Sequence, residues 1–150
     1  MTAPTRPTLL NSCAHAATAA EARFRIDRPI GGRSALIVAL DDDAAEVVDR
    51  LAERPWGAAR FFRSPNDPQL TEEVPDADVA IMVGTAEADG DAASAIARAC
   101  AERGIMTAGL ILGDRVDVAA AVSALRPYAR NLMITDDEDD VAAVLTALRA

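Results

Sequence analysis

Apolar positions follow two rhythms along this chain. Short unbroken runs alternate with stretches in which apolar residues recur three or four apart. The runs have the character of strands buried on both faces. They are Ser34–Leu40 (SALIVAL), Gly57–Arg63 (GAARFFR), Asp78–Gly84 (DVAIMVG), Met106–Leu112 (MTAGLIL) and Asn131–Thr135 (NLMIT). Between them lie helical spacings. Ala44, Val47, Val48 and Leu51 predict a helix that opens after Asp41-Asp42-Asp43 and ends near Pro55. Ala93, Ile96, Ala97 and Cys100 predict one that stops at Gly104. Val118, Val122 and Leu125 mark another, and Val141, Val144, Leu145 and Leu148 mark a terminal helix opened by Asp136–Asp140. Pro65, Pro68 and Pro75 predict a loop over Ser64–Pro75, and Thr85–Asp91 is expected to be a polar loop.

Strands that alternate with helices imply right-handed crossovers and parallel pairing. The predicted fold is α/β: a three-layer Rossmann-like domain, with a mostly parallel five-stranded sheet and helices on both faces. It is expected to span residues 34–150. Residues 1–33 differ from the rest. Prolines interrupt them, Asn11–Arg25 is an alanine-rich stretch able to form a short helix, and Gly31-Gly32 breaks the chain before the first strand. They are expected to form an N-terminal arm.

Charge sharpens that division. The net charge is −9. Residues 1–33 hold five arginines against Glu21 and Asp27, whereas the remainder holds ten arginines against 22 acids. An acidic body repels a phosphate backbone, so nucleic acid is not an expected partner. A basic arm on an acidic body points instead to self-association, and a homo-oligomer is expected. All 15 basic residues are arginine. Without lysine there can be no P-loop, no Schiff base and no pyridoxal chemistry, so no lysine-dependent cofactor is expected.

Cys13 and Cys100 are too far apart in sequence to make a metal motif or a disulfide framework. No apolar run approaches the ~20 residues of a membrane span, and residues 1–20 do not read as a secretory signal. A cytoplasmic protein with no membrane contact is expected. His15 is the single histidine, two residues from Cys13. A Cys–His nucleophile needs a third, orienting group, and none can be named.

In an α/β sheet the ligand lies beyond the carboxyl ends of the strands. Those ends carry Asp41-Asp42-Asp43, Gly84-Thr85 followed by Glu87, Gly113-Asp114-Arg115, and Asp136-Asp137-Glu138. The candidate ligand-binding residues are therefore Asp42, Gly84, Thr85, Gly113, Asp114, Arg115 and Asp136. Asp41, Asp42, Glu87, Asp114 and Asp136 are candidate ligands for Mg²⁺, a hard ion that prefers oxygen donors. Arg115 would clamp a phosphate or carboxylate. The plainer reading is capping: every acid cluster named here precedes a helix, where Asp satisfies free N–H groups and opposes the helix dipole.

Residues 76–112 (DADVAIMVGTAEADGDAASAIARACAERGIMTAGLIL) carry a resemblance to the nucleotide-binding half of the FtsZ/tubulin GTPase family. The helix Ala95–Gly104 and the strand Met106–Leu112 resemble the helix and strand that follow that family's phosphate loop. Leu125–Asp136 (LRPYARNLMITD) is similar to its later helix and strand. The resemblance implies a nucleotide-binding fold more than an activity. At the family's glycine-rich loop stands Gly84-Thr85-Ala86-Glu87-Ala88-Asp89-Gly90-Asp91, with three acids where phosphate would lie, and its first glycine loop is replaced by Asp41-Asp42-Asp43. Flavodoxin-like and sugar-isomerase-like sheets resemble the pattern equally. Receiver domains match less well, because Gly84 stands where they need an aspartate and the lysine is missing.

Two readings of function follow. One is a non-catalytic or degenerate nucleotide-binding-like domain that acts through ligand or protein binding and self-association. The alternative is a Mg²⁺-dependent enzyme on a small phosphorylated or carboxylated metabolite, built on the carboxylate rim.

Overall fold

A computed structural model describes residues 33–148 and 150. The expected arm, its helix over Asn11–Arg25, and Cys13 and His15 lie outside the described residues. Five strands appear: β1 (Ala35–Ala39), β2 (Ala59–Phe62), β3 (Val79–Gly84), β4 (Met106–Leu112) and β5 (Asn131–Thr135). Five α-helices accompany them: α1 (Asp42–Ala52), α2 (Pro68–Glu73), α3 (Gly90–Ala101), α4 (Ala119–Leu125) and α5 (Glu138–Ala147). Every strand pair is parallel and the order is β2-β1-β3-β4-β5. This is the doubly wound flavodoxin-type order.

Strand alternation sorts the core into two layers. Leu36, Val38, Ala80, Met82 and Ile111 face one side, where they meet Leu70 of α2, Ile96 and Cys100 of α3, and Val122 and Leu125 of α4. Ile37, Ile81, Val83 and Leu110 face the other, against Val48 and Leu51 of α1 and Val141 and Leu145 of α5. All five β1 residues are fully buried, which explains their unbroken apolar character. Leu36, Ile37 and Val38 each contribute about 1.5–3 kcal/mol by leaving water. Cys100 is buried in the core, and burial raises its thiol pKa. Trp56 packs beside Phe61, with ring centroids 6.1 Å apart, and donates its indole N–H to the Leu51 carbonyl.

Two of the three long-helix caps fall in acid clusters that the sequence marked as helix starts. Asp41 opens α1, Asp89 opens α3 and Asp137 opens α5, each side chain accepting a first-turn N–H. After α3, Gly104 takes φ +69°. Its N–H donates to the Ala101 carbonyl and that of Ile105 to the Cys100 carbonyl, a Schellman closure. Arg50 donates to both carboxylate oxygens of Glu138, and Arg54 pairs with Asp139 at 2.9 Å. These exposed bonds join α1 to α5, and the hydrogen bond to Glu138 pushes the Arg50 pKa further up.

Residues 64–75 correct the sequence reading. Pro68–Glu73 is helical and a 3₁₀ turn follows over Val74–Asp76. Pro68 and Pro75 each sit in the first positions of their element. There the missing N–H has no intrahelical partner to lose, so proline starts a helix that it would break further in. Asp67 caps this helix by accepting from the Gln69 N–H at 2.9 Å, and Leu70 anchors it in the core. Asp67→Ala is expected to cost about 1 kcal/mol in urea unfolding. No measurable loss would mean that Leu70 alone seats the helix.

Candidate functional site

The chain runs from β1 outward to β2, then crosses back to β3 on the other side of β1. The crevice above the carboxyl ends of β1 and β3 is therefore the switch point, the place where such sheets hold ligands. Asp41, Asp42, Gly84, Thr85 and Glu87 all lie at this end. Asp41 fills the crevice with its own hydrogen bonds. Its Oδ1 accepts from the Ala44 N–H at 2.8 Å and from the Thr85 hydroxyl at 3.0 Å. Its Oδ2 accepts from the Thr85 N–H at 2.8 Å. One carboxylate thus caps α1 and latches β1 to the loop after β3.

Gly84 makes this closure possible. A Cβ built there would lie 2.6 Å from the Ala88 Cβ, so any side chain would lift the loop off the strand. Ala88 is buried and its N–H donates back to the Thr85 carbonyl. The loop is held tightly by these contacts. Asp42 and Glu87 stand exposed on the rim, Asp42 in the first turn of α1.

The remaining predicted residues come together elsewhere. Gly113, Asp114, Arg115 and Asp136 line an open cavity of about 350 Å³ at the carboxyl ends of β4 and β5, with Ile134, Thr135 and Asp140. Gly113 takes φ +140°, which turns the chain sharply out of β4, and its N–H donates to the Thr135 carbonyl. Asp114 accepts from the Val116 N–H at 2.9 Å and so fixes the turn that displays Arg115. Arg115 and Asp136 are exposed.

Sequence reasoning missed Thr135 and Asp140. Thr135 is only 8% exposed. Its hydroxyl donates to Asp140 at 2.6 Å and accepts from the Asp137 N–H at 3.0 Å. The available signal was a threonine ending a strand five residues before an aspartate in the next helix. That spacing returns the carboxylate over the strand end.

The five candidate metal ligands do not converge. Asp41, Asp42 and Glu87 belong to the switch point, while Asp114 and Asp136 belong to the β4–β5 cavity. Among the described residues no group of three or more His, Cys, Asp or Glu side chains is placed to hold one ion. The physical reason is local: Asp41 turns inward as a cap and a latch, and Asp114 turns back to its own loop. No helix of the described residues is long and apolar enough to cross a membrane. Comparison with protein-family models and with curated proteins finds no match to this chain.

Proposed function

We propose that this chain is a non-catalytic α/β domain that acts through ligand or protein binding and self-association. On this reading it is a degenerate relative of nucleotide-binding domains, in keeping with the FtsZ/tubulin resemblance, and it works in the cytoplasm. The observation that carries the reading is the Asp41 latch. The position where a nucleotide phosphate would rest holds a carboxylate whose two oxygens already accept three hydrogen bonds. A phosphate approaching it would meet negative charge, and the Ala44 and Thr85 N–H groups there are already bonded to that carboxylate.

A thermal-shift titration tests this reading. GTP, GDP, ATP, NAD and small phosphorylated or carboxylated metabolites would each be added with and without Mg²⁺. A ligand present at a hundred times its dissociation constant adds ~2.7 kcal/mol, several degrees for a chain of this size. The nucleotides are expected to leave the transition unmoved. A Mg²⁺-dependent shift with any nucleotide would sink the reading.

One observation favours a second reading, the Mg²⁺-dependent enzyme. Gly113, Asp114, Arg115 and Asp136 do share a cavity. Mg²⁺ often keeps several waters and needs only one or two carboxylates beside a substrate phosphate. Arg115 would grip that phosphate. A shift seen with a phosphorylated metabolite plus Mg²⁺, and abolished by Asp114→Ala, would move the assignment there.

A further inference from the structure

We propose that the outer edge of β5 is the surface through which two copies of this chain associate, pairing antiparallel about Met133 into one continuous sheet. The inference rests on the self-association reading above and names its surface. Strands β2 and β5 are the two edges of the sheet. An edge strand offers unpaired N–H and C=O groups to any passing strand unless something blocks it. Strand β2 is blocked. Arg60 stands exposed within it and pairs with Glu73, and Arg63 follows and pairs with Asp49. Strand β5 reads Asn-Leu-Met-Ile-Thr, with no charge, proline or glycine. Its Leu132, Met133 and Ile134 are only half-buried, whereas every residue of β1 is buried.

The backbone fixes which groups face outward. The Thr135 carbonyl accepts inward from the Gly113 N–H at 2.9 Å. Backbone direction alternates along a strand, so Asn131 and Met133 also address β4. The N–H and C=O of Leu132 and Ile134 then face the open edge. Antiparallel pairing with Met133 opposite Met133 of the second copy brings outward groups to outward groups. It also sets Leu132 opposite Ile134, apolar against apolar on one sheet face.

The same register matches charge at both ends. Arg130 falls opposite Asp136 of the second copy, and the twofold axis repeats the pair. Both side chains are exposed, and neither forms an ion pair or side-chain hydrogen bond among the described residues. A parallel arrangement would instead set Arg130 against Arg130 and Asp136 against Asp136. Opposite charges across a strand pair stabilise it and like charges oppose it. The interface is isologous and closes at two copies.

Sedimentation equilibrium of the full chain tests the proposal. Wild type is expected to be a dimer. Arg130→Asp and Asp136→Arg should each weaken it roughly tenfold or more, since each reversal turns two attractions into two repulsions. The double exchange should restore the dissociation constant to within about threefold. Ile134→Pro, which removes an outward N–H and spares the bonds to β4, should be monomeric. Circular dichroism would establish that each variant is folded, and if the proline variant is not, the charge exchange decides. A wild-type monomer would overturn both this surface and the self-association reading. A wild-type dimer untouched by the single charge reversals would overturn the surface alone. Failure of the double exchange to restore pairing would overturn this register.

Discussion

Replacement of Asp41 by alanine is expected to destabilise the domain by about 2–4 kcal/mol, more than any ordinary helix cap. Loss of a cap costs ~1 kcal/mol. Here the same side chain also accepts the N–H and the hydroxyl of Thr85, 44 residues away in sequence. Donors stranded in a part-buried place cost a further 1–3 kcal/mol. For a chain of this length that lowers the melting temperature by roughly 5–15 °C. Asp41→Asn should fall between, because an amide presents one acceptor and would turn a donor toward the other side. Thr85→Val should cost about 1 kcal/mol alone and less in the Asp41→Ala background, because its main partner is then already gone. Urea unfolding of the four proteins makes the double-mutant cycle. If Asp41→Ala stays within about half a kcal/mol of wild type, the latch contributes nothing to stability.

Gly113→Ala is expected to be equally costly, about 2–4 kcal/mol, for two reasons. The backbone at φ +140° is a conformation that side chains other than glycine resist. A Cβ there would also lie 2.7 Å from Cγ1 of the fully buried Val118. Gly104→Ala carries positive-φ strain without a collision. Gly104 also has positive φ, but no atom stands within 4 Å of its would-be Cβ. It should lose only about 1 kcal/mol. The excess at Gly113 measures the collision with Val118 together with the greater strain of φ +140° over φ +69°. Equal losses at the two glycines would mean that the α4 entry yields freely, and the β4–β5 cavity would then be a soft site.

Much of the fold could be read before any coordinates. Strands buried on both faces print themselves as apolar runs, and Met106–Leu112 and Asn131–Thr135 match their predicted bounds. The Asp41–Asp43 and Asp136–Asp140 clusters announced helix starts because capping is a one-residue chemistry. The segment 68–73 was lost because proline was read as a breaker when its position made it a starter. The site was half legible. The rule of strand ends found Gly113, Asp114, Arg115 and Asp136, which share a cavity. It could not find the Asp41–Thr85 bonds, which depend on β3 lying beside β1, and strand order has no local signature. Thr135 and Asp140 escaped for a related reason, since a helix returning over its own strand had to be built first.

The strand order also governs what the growing chain can protect. Strands β1, β2 and β3 form the first part of the sheet from residues that emerge together, and α1 covers one of its faces at once. The rest of that face, including Ile81, Val83 and Leu110, is completed by α5, the last helix of the described residues. Until residues 138–147 have left the ribosome, this apolar strip lacks the cover that α5 gives it among the described residues. The Arg50–Glu138 and Arg54–Asp139 contacts therefore join the first helix of the described residues and its exit to the last, and they form only once residues 138 and 139 have emerged.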